Sequence, residues 1–498
     1  MKILKNRKIV YIITALLVIY ASYLLYFLYY TNFMPVIARL ILALMILLLV
    51  GLLIQGLNNL TGSYGIFLVK SKKGVKGIAR IAAKHKRFWE AFAEWGMIIG
   101  FGILSYPLLK GKTSKKMFLF GFISLIVIAQ YILPFMAYAS MLISIPQLQS
   151  RIPQPNLSQP LPSLQAYLLS IANNSLYGYV EMVLYIIFGF SSFVFIALLY
   201  NSGSVLLSLS KVIESVIIGK PTIAPLSSQI PGVAPIIPGI TIPLFAGIVS
   251  LAILLSVHEF SHGVLASLAK IKLKYVGLIV FGVIPIGAFV EVDEKKIKKR
   301  SKVIQNNISI AGVSANFLAM LVFFIPLLVL IPYVFAHVYT IAVFVDSVLQ
   351  GYPAYGVLSP GMQILSWNGQ RTTNMTELQS AASNDKPGSL INVTTNTGTY
   401  SLLAKSEANS TRGAIGITAY QQITPVTDTI EKSAAYMLYS ICALSVLLNF
   451  LVGAFNLLPF PSLDGWRIYK TSVRNKKIVK ALAAIIIIAL ILNALPWL

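Results

Sequence analysis

Charged residues are scarce in this sequence: they make up 11% of its 498 residues, against 57% hydrophobic residues, and the mean hydropathy is +0.79. A soluble domain normally carries roughly 25% charged residues. A shortage of this size excludes an ordinary soluble protein. Many apolar runs are instead long enough to span a bilayer, which indicates a polytopic α-helical membrane protein.

Acids and cysteines are scarcer still. The chain holds 15 Asp and Glu against 40 Lys and Arg, which gives a formal net charge of +25. The positive residues lie in short loops between apolar runs, as the positive-inside rule describes. We therefore expect no nucleic-acid partner and take the lipid bilayer as the partner of the protein surface. The single cysteine, Cys442, excludes a disulfide framework and leaves the redox compartment open.

About nine apolar segments are predicted to cross the membrane. The first follows a basic tail and lacks a small-residue cleavage site, so we interpret it as an uncleaved span. The predicted spans lie near residues 9–30, 35–56, 91–109, 117–141, 178–202, 242–269, 303–335, 433–457 and 478–496.

The charges between these segments predict the orientation of the protein. The basic segments 70–87, 295–302 and 467–480 fall on the same side as the basic tail if nine spans alternate from a cytoplasmic N-terminus. The basic loop 110–116 breaks this pattern, so either segment 91–109 does not cross or its short loop is tolerated. We expect a multi-pass protein of the cell membrane.

Residues 341–421 differ from the rest of the chain. They contain short alternating runs, the turn signal Asn368-Gly369 and balanced charge, which predict a small mixed α/β domain on the outer side. The other predicted divisions are an N-terminal transmembrane region at 1–210, a Pro-rich loop at 211–240, and a membrane core in two parts, 241–340 and 422–498.

The motif HEFSH lies inside the sixth predicted span. His258 and His262 are four residues apart, so on a helix their rings project from one face and can share a metal ion. Glu259 can reach a water molecule at that metal. Polar and ionisable groups are costly in lipid, which favours a functional site. The alternative is that the two histidines are hydrogen-bonded to neighbouring spans.

A third ligand is needed, because a catalytic zinc site usually takes three protein ligands and one open position. Asp464 is the only acid between Glu431 and the C-terminus, and it follows a helix break at Pro459 and Pro461. Irregular backbone at membrane depth is tolerated where it is buried in protein or lines a wet cavity. Asp464 is therefore our candidate, although an Asp-Gly pair after proline can also be an ordinary turn.

Residues 271–293 are rich in β-branched side chains and are interrupted by Gly277, Gly282 and Gly287. This pattern is too broken for a spanning helix and predicts a β-hairpin. An exposed edge of the hairpin could pair with an unwound substrate. Alternatively, the hairpin only packs against the protein core.

Three motifs together resemble the site-2 protease family of intramembrane zinc metalloproteases: HEFSH, GVSAN at residues 312–316 and NLLPFPSLDG at residues 456–465. The resemblance covers roughly residues 235–475 and implies a bound Zn²⁺. The implied site residues are His258, His262 and Asp464 as zinc ligands, Glu259 as general base, and Asn456, Asn316 and Gly312 as substrate-binding residues. Asn456 is implied to orient the substrate backbone, and Gly312 and Asn316 match the family's GxxxN motif of close helix packing.

The same resemblance implies the surrounding architecture and the activity. It implies a membrane-dipping β-hairpin at 271–293 and, from the stretch YPAYGVLSPGMQILSWNG, an inserted PDZ-like domain at 341–421. The expected activity is regulated intramembrane proteolysis. Its substrate would be a single-span membrane protein, cut within or near the bilayer at a site close to the cytoplasmic face.

Two other functions fit parts of the sequence. HExxH also occurs in membrane proteases with a water-exposed catalytic domain, but those usually take a Glu as third ligand, and no suitable Glu follows the motif here. A transporter or metal channel could use His258, Glu259 and Asp464 as an ion path. The Lys-rich loops beside the motif disfavour passage of cations.

Overall fold

The computed structural model describes residues 7–30, 36–111, 113–133, 176–227, 229, 231–233, 236–238, 241–406 and 412–497. The described residues fall into two compact units. The membrane unit comprises those of Met1–Ser140, Ser175–Pro326 and Ile441–Leu498, and the sheet domain comprises those of Leu327–Ser440.

The described helices are α1 (Arg7–Tyr30), α2 (Val36–Asn58), α3 (Lys73–Lys84), α4 (Lys86–Phe101), α5 (Ser105–Leu108), α6 (Lys115–Val127), α7 (Leu176–Phe188), α8 (Ser191–Ile217), α9 (Ala224–Ser227), α10 (Leu244–Leu268), α11 (Glu294–Lys298), α12 (Lys302–His337), α13 (Met375–Ala382), α14 (Ile430–Asn456), α15 (Asp464–Ser472) and α16 (Lys476–Ala494). The described strands are β1 (Gly62–Ser63), β2 (Ile66–Ser71), β3 (Leu273–Phe281), β4 (Ile284–Val292), β5 (Tyr339–Val348), β6 (Gln363–Trp367), β7 (Gln370–Arg371), β8 (Leu390–Thr395), β9 (Gly398–Leu403), β10 (Lys405–Ser406), β11 (Gly413–Ala414) and β12 (Ile417–Pro425).

Nine helical segments in this part of the chain are long and apolar enough to cross a membrane, which confirms the predicted class of polytopic helical membrane protein. They correspond to α1, α2, α4 continued to Leu108, α6 continued to Ile132, α8, α10, α12, α14 and α16. The uncertain third span is thus a helical segment of 23 residues, Lys86–Leu108. Residues 134–141 of the fourth predicted span lie outside the described residues.

The fifth predicted span, 178–202, is wrong in its bounds, because the helix is interrupted inside it. α7 ends at Phe188, and the span-length helix α8 begins at Ser191 and continues to Ile217, into the segment predicted as a Pro-rich loop. Gly189 adopts a φ of +61°, and a Cβ atom there would lie 2.5 Å from Ile99 O. The Phe190 amide instead donates to Ile99 O over 3.0 Å. The break therefore lets α7 and α8 meet the backbone of α4.

The predicted β-hairpin at 271–293 is present as the antiparallel pair β3 and β4. The sequence did not predict that residues 62–71 would extend it to four strands in the order β1-β2-β3-β4. Strand β2 pairs with β3 from Ile66↔Phe281 to Ser71↔Val276. The basic segment 70–87 is therefore not a loop: it forms the end of β2, helix α3 and the first turn of α4.

The sheet domain contains an antiparallel sheet in the order β12-β5-β6-β8-β9, with β7 paired to β6. Its core includes the buried residues Val343, Val345, Ile364, Trp367, Leu378, Ile391 and Val393. The predicted turn Asn368-Gly369 joins β6 to β7, with φ values of +49° and +80°, which suit a two-residue hairpin.

Helices α10, α12 and α14 are held together in the membrane unit by buried aromatic and polar contacts. Phe190, Phe317 and Phe450 are fully or almost fully buried, with ring centroids 5.2 to 6.0 Å apart. The hydroxyl of Ser445 on α14 lies 3.1 Å from that of Ser250 on α10. Lipid tails are as apolar as the side chains of a membrane helix, so hydrophobic burial does not draw two spans together. Hydrogen bonds and close packing between the spans do so instead. These contacts fix the helix that carries HEFSH.

Candidate metal centre

Three of the predicted site residues converge on one point. His258 and His262 lie one turn apart on α10, and Asp464 begins α15. Asp464 Oδ2 lies 3.2 Å from His258 Nε2 and 3.1 Å from His262 Nε2, and the two Nε2 atoms lie 3.2 Å apart. All three side chains are largely buried. They form the one group of three such donors found among the described residues that can share a metal ion.

The spacing of these donor atoms fits a single zinc ion. Nitrogen and oxygen ligands lie about 2.0 to 2.1 Å from Zn²⁺, so two ligands of a tetrahedral site lie roughly 3.3 Å from each other. The three observed separations, 3.1 to 3.2 Å, are close to that value. Three protein ligands leave a fourth position open, as catalytic zinc sites do.

The orientation of the His262 ring is held by a backbone group. Its Nδ1 lies 2.7 Å from the carbonyl oxygen of Ile308 on α12. A carbonyl only accepts hydrogen bonds, so Nδ1 donates to it, and Nε2 is the ring nitrogen available to a metal ion. This nitrogen faces His258 Nε2 and Asp464 Oδ2, as a metal ligand requires.

Asp464 is brought to the histidines by the break between α14 and α15. The break includes Ser462, whose φ is +81°. A Cβ atom at Gly465 would lie 2.2 Å from Leu457 O, so only glycine lets α15 start this close to the end of α14. Burial opposes ionisation of the Asp464 carboxyl, but the two imidazoles outweigh burial and hold its pKa below the usual range. The carboxyl is therefore ionised and suited to bind a cation.

Gly312 on α12 lies directly against the ring of His258. A Cβ atom at this position would lie 2.4 Å from both Cε1 and Nε2 of His258, and 2.6 Å from Nδ1. No side chain can occupy that space unless the imidazole moves. The structure therefore gives Gly312 a specific physical role, which is to leave room for a ligand ring.

Gly312→Ala is expected to weaken zinc binding roughly tenfold or more, because displaced supporting groups typically cost 10- to 100-fold in metal affinity. The measurement is competition for zinc with a chromophoric chelator. Gly203→Ala on α8 is the matched control, since a Cβ atom there would meet nothing within 4 Å. Unchanged zinc affinity in Gly312→Ala would show that His258 has room to move or does not bind the metal.

Glu259 follows His258 on α10, and its side chain is held by the hairpin. The amide of Val290 on β4 donates to Glu259 Oε2 over 3.2 Å. This hydrogen bond engages one of the two carboxylate oxygens, Oε2. The general-base role of Glu259 remains a prediction, and the structure adds a fixed position for its carboxylate.

The two predicted asparagines differ in their surroundings. Asn316 lies one turn after Gly312 and is fully buried, and neither side-chain polar atom has a partner among the described residues. Asn456 ends α14 half-buried, with its amide nitrogen donating to Val452 O over 3.0 Å. Their substrate-binding roles remain predictions. A buried amide without partners is costly, and such a group is suited to accept a ligand.

Several groups at the site were not identified from the sequence. The Ile308 carbonyl and the Val290 amide belong to the backbone, so no side-chain pattern marks them. Gly465 follows Asp464 in the motif NLLPFPSLDG. The sequence analysis interprets this Asp-Gly pair as a turn or as the position of a ligand, and it does not predict the close packing of Gly465 against Leu457.

The fold and the site define a class: a multi-pass membrane protein with a candidate metal centre built from two histidines and a carboxylate. The family profile described as Peptidase family M50 matches residues 246–495, half of the chain, and the protein belongs to that family. This is the family that contains the site-2 proteases, and it is zinc-dependent.

Among curated proteins, an uncharacterized protein of Methanocaldococcus jannaschii is similar to this chain, with 29% identity over 232 residues. The aligned region is 46% of this chain and spans 58% of the length of that relative. Membership of the family supports a membrane metallopeptidase and does not favour a transporter or channel.

Proposed function

We propose that the protein is an intramembrane zinc endopeptidase that hydrolyses single-span membrane proteins within or beside the bilayer, in regulated intramembrane proteolysis. The observation that carries the proposal is the convergence of His258, His262 and Asp464 on one point, with two of the three on a helix long enough to span the membrane. Ionisable groups are costly to bury inside a membrane, so the presence of three possible zinc ligands at this position favours a functional site.

His258, His262 and Asp464 would hold the zinc, and Glu259 would carry the proton. When bound, zinc supplies Lewis-acid chemistry that polarises the scissile carbonyl. Glu259 accepts a proton from the attacking water and later passes it to the nitrogen of the leaving amine. Asn456 and Asn316 are proposed to hold the substrate backbone, with Gly312 leaving space for His258.

The substrate must present an unwound peptide bond, and β4 is the strand to which it would add. In the described sheet, β2 pairs with β3, so the other edge of β4 pairs with no described strand. An extended segment could pair there by β-augmentation. We propose that the hairpin dips into the membrane to meet a substrate helix.

The orientation is proposed from charge. The basic segments around 70–87, 295–302 and 467–480 favour the cytoplasmic side, which places the metal centre near that face of the cell membrane. Residues 341–421 would then lie outside.

The test is cleavage by the purified full chain in liposomes that contain a single-span substrate. We expect cleavage within or next to the span, loss of cleavage after chelation, and recovery on addition of zinc. Mass spectrometry of the products locates the cut bond. Zinc flux into the liposomes without cleavage would favour the transporter instead.

We further propose that the sheet domain has a PDZ-like fold and filters substrates by the size of their outer part. The sheet domain can be deleted at a point where its two ends meet, because the Val426 amide donates to Val338 O over 2.7 Å. The two ends of the segment 339–425 are therefore adjacent and can be joined by a short linker. This deletion should retain cleavage of a substrate with a short outer segment and should newly permit a substrate with a bulky folded one.

The control is zinc content, which the deletion should leave unchanged. Cleavage rates of the two substrates are compared in wild type and deletion. If the deletion kept its zinc but cut neither substrate, the domain would have a structural role and the filter would be refuted.

A further inference from the structure

The hydrogen bond between Glu259 and Val290 involves a main-chain amide on the edge of β4 that pairs with no described strand. Val290 stands opposite Val276 in the β3–β4 ladder. Its N–H is not used in that ladder, because it donates to Glu259 Oε2 over 3.2 Å. The amide therefore points away from β3. On that side, no strand of the described sheet pairs with β4.

The strand is seated on α10 by a second contact one turn from Glu259. A Cβ atom at Gly263 would lie 3.1 Å from Val290 Cγ1 and 3.4 Å from Val290 Cγ2, so the valine side chain rests on the bare backbone of α10 at this point. The position of the Val290 amide is thus fixed by its own side chain and by the hairpin.

We infer that Val290 is a positioning residue for proton transfer. Resting on the proposed peptidase function, the inference is that the Val290 amide holds Oε2 of Glu259 so that Oε1 faces the attacking water. In the reaction, Oε1 takes the proton from water and gives it to the leaving nitrogen, while the bond from Val290 to Oε2 persists. A glutamate side chain has several rotatable bonds, and a charge-assisted hydrogen bond is strong enough to select one orientation.

The hairpin then has a role in the chemical step in addition to substrate pairing. These two roles affect different kinetic constants. Loss of an edge amide that only pairs with substrate raises KM, whereas loss of an amide that orients the base lowers kcat.

Val290→Pro tests this inference, because proline lacks the amide hydrogen and is tolerated on an open strand edge. Ala288→Pro is the matched control: residue 288 lies two positions earlier on β4, so its amide points to the same side. We expect Val290→Pro to lower kcat roughly ten- to a hundredfold, as loss of a hydrogen bond to a charged group predicts, with KM and zinc content unchanged. Ala288→Pro should retain the wild-type kcat and raise KM, because it removes an amide of the edge that is proposed to pair with substrate.

An amide-to-ester replacement at Val290 removes the same donor and leaves the side chain in place, which guards against misfolding of the proline variant. It should lower kcat in the same way. Wild-type kcat in the ester variant, or equal loss of kcat in both proline variants, would overturn the inference while leaving the peptidase function intact. A wild-type protein that binds zinc but cuts nothing would instead overturn the proposed function and this inference with it.

Discussion

Glu259→Gln is expected to keep its zinc and lose turnover by roughly a hundred- to ten-thousand-fold, the contribution typical of a general acid–base group. The carboxamide has nearly the same size as the carboxylate, and its carbonyl oxygen can still accept the hydrogen bond from the Val290 amide. The substitution removes the negative charge and the ability to take a proton. The measurements are kcat on a reconstituted single-span substrate and zinc content of the same preparation.

Glu291→Gln is the matched control for this variant. Glu291 lies next to Val290 on β4 and pairs with Lys274 at the surface, with 35% of its side chain exposed. It should retain near-wild-type turnover, since exposed ion pairs contribute little. If Glu259→Gln lost zinc together with activity, Glu259 would be a ligand or a structural group, and the assignment of the base would be wrong.

Asp464→Ala should abolish cleavage and weaken zinc binding by more than about a hundredfold, because supporting groups alone cost 10- to 100-fold and this residue is one of three proposed ligands. It also removes the carboxylate among the three and leaves two imidazole rings. Zinc affinity is measured by chelator competition, and His258→Ala and His262→Ala should show losses of the same kind.

Glu294→Ala serves as the control for charge. Glu294 is an exposed acid, and its carboxylate lies 3.5 Å from Arg467 on α15, the helix that Asp464 begins. Removing it changes the net charge by the same amount without touching the metal centre, so zinc affinity should be unchanged. Full zinc content and activity in Asp464→Ala would refute the third ligand.

The spans and the metal group could be predicted because their signals are local or chemically costly. A bilayer requires long apolar helices, and nine of them are seen in the described part of the chain. His258 and His262 are one helical turn apart, so their proximity follows from spacing alone. Asp464 could be proposed because an acid at a proline-marked break is rare in so apolar a chain, and the structure places it beside both rings.

The features that could not be predicted depend on contacts distant in sequence. The break at Gly189 is stabilised by the backbone of α4, where Ile99 accepts the Phe190 amide. The short segment Ile66–Ser71 becomes a strand only because β3, far along the chain, offers it a partner. The orientation of His262 depends on the Ile308 carbonyl, a group that every residue carries. Each of these three features depends on a partner elsewhere in the chain, so the local sequence alone does not predict it.

The pairing of β2 with β3 makes the peptidase half of the chain dependent on a segment outside the family match. A polypeptide cut to residues 246–495 would lose β2, and β3 would expose a row of unpaired amides and carbonyls. In lipid each such group costs several kcal/mol, and in water an open edge recruits other chains. Gly96 on α4 would be lost as well, and with it the close approach to Ser314 on α12. Residues 246–495 alone are therefore expected to be less stable than the full chain, because the upstream half of the protein supplies part of the hairpin's sheet and part of the packing around α12.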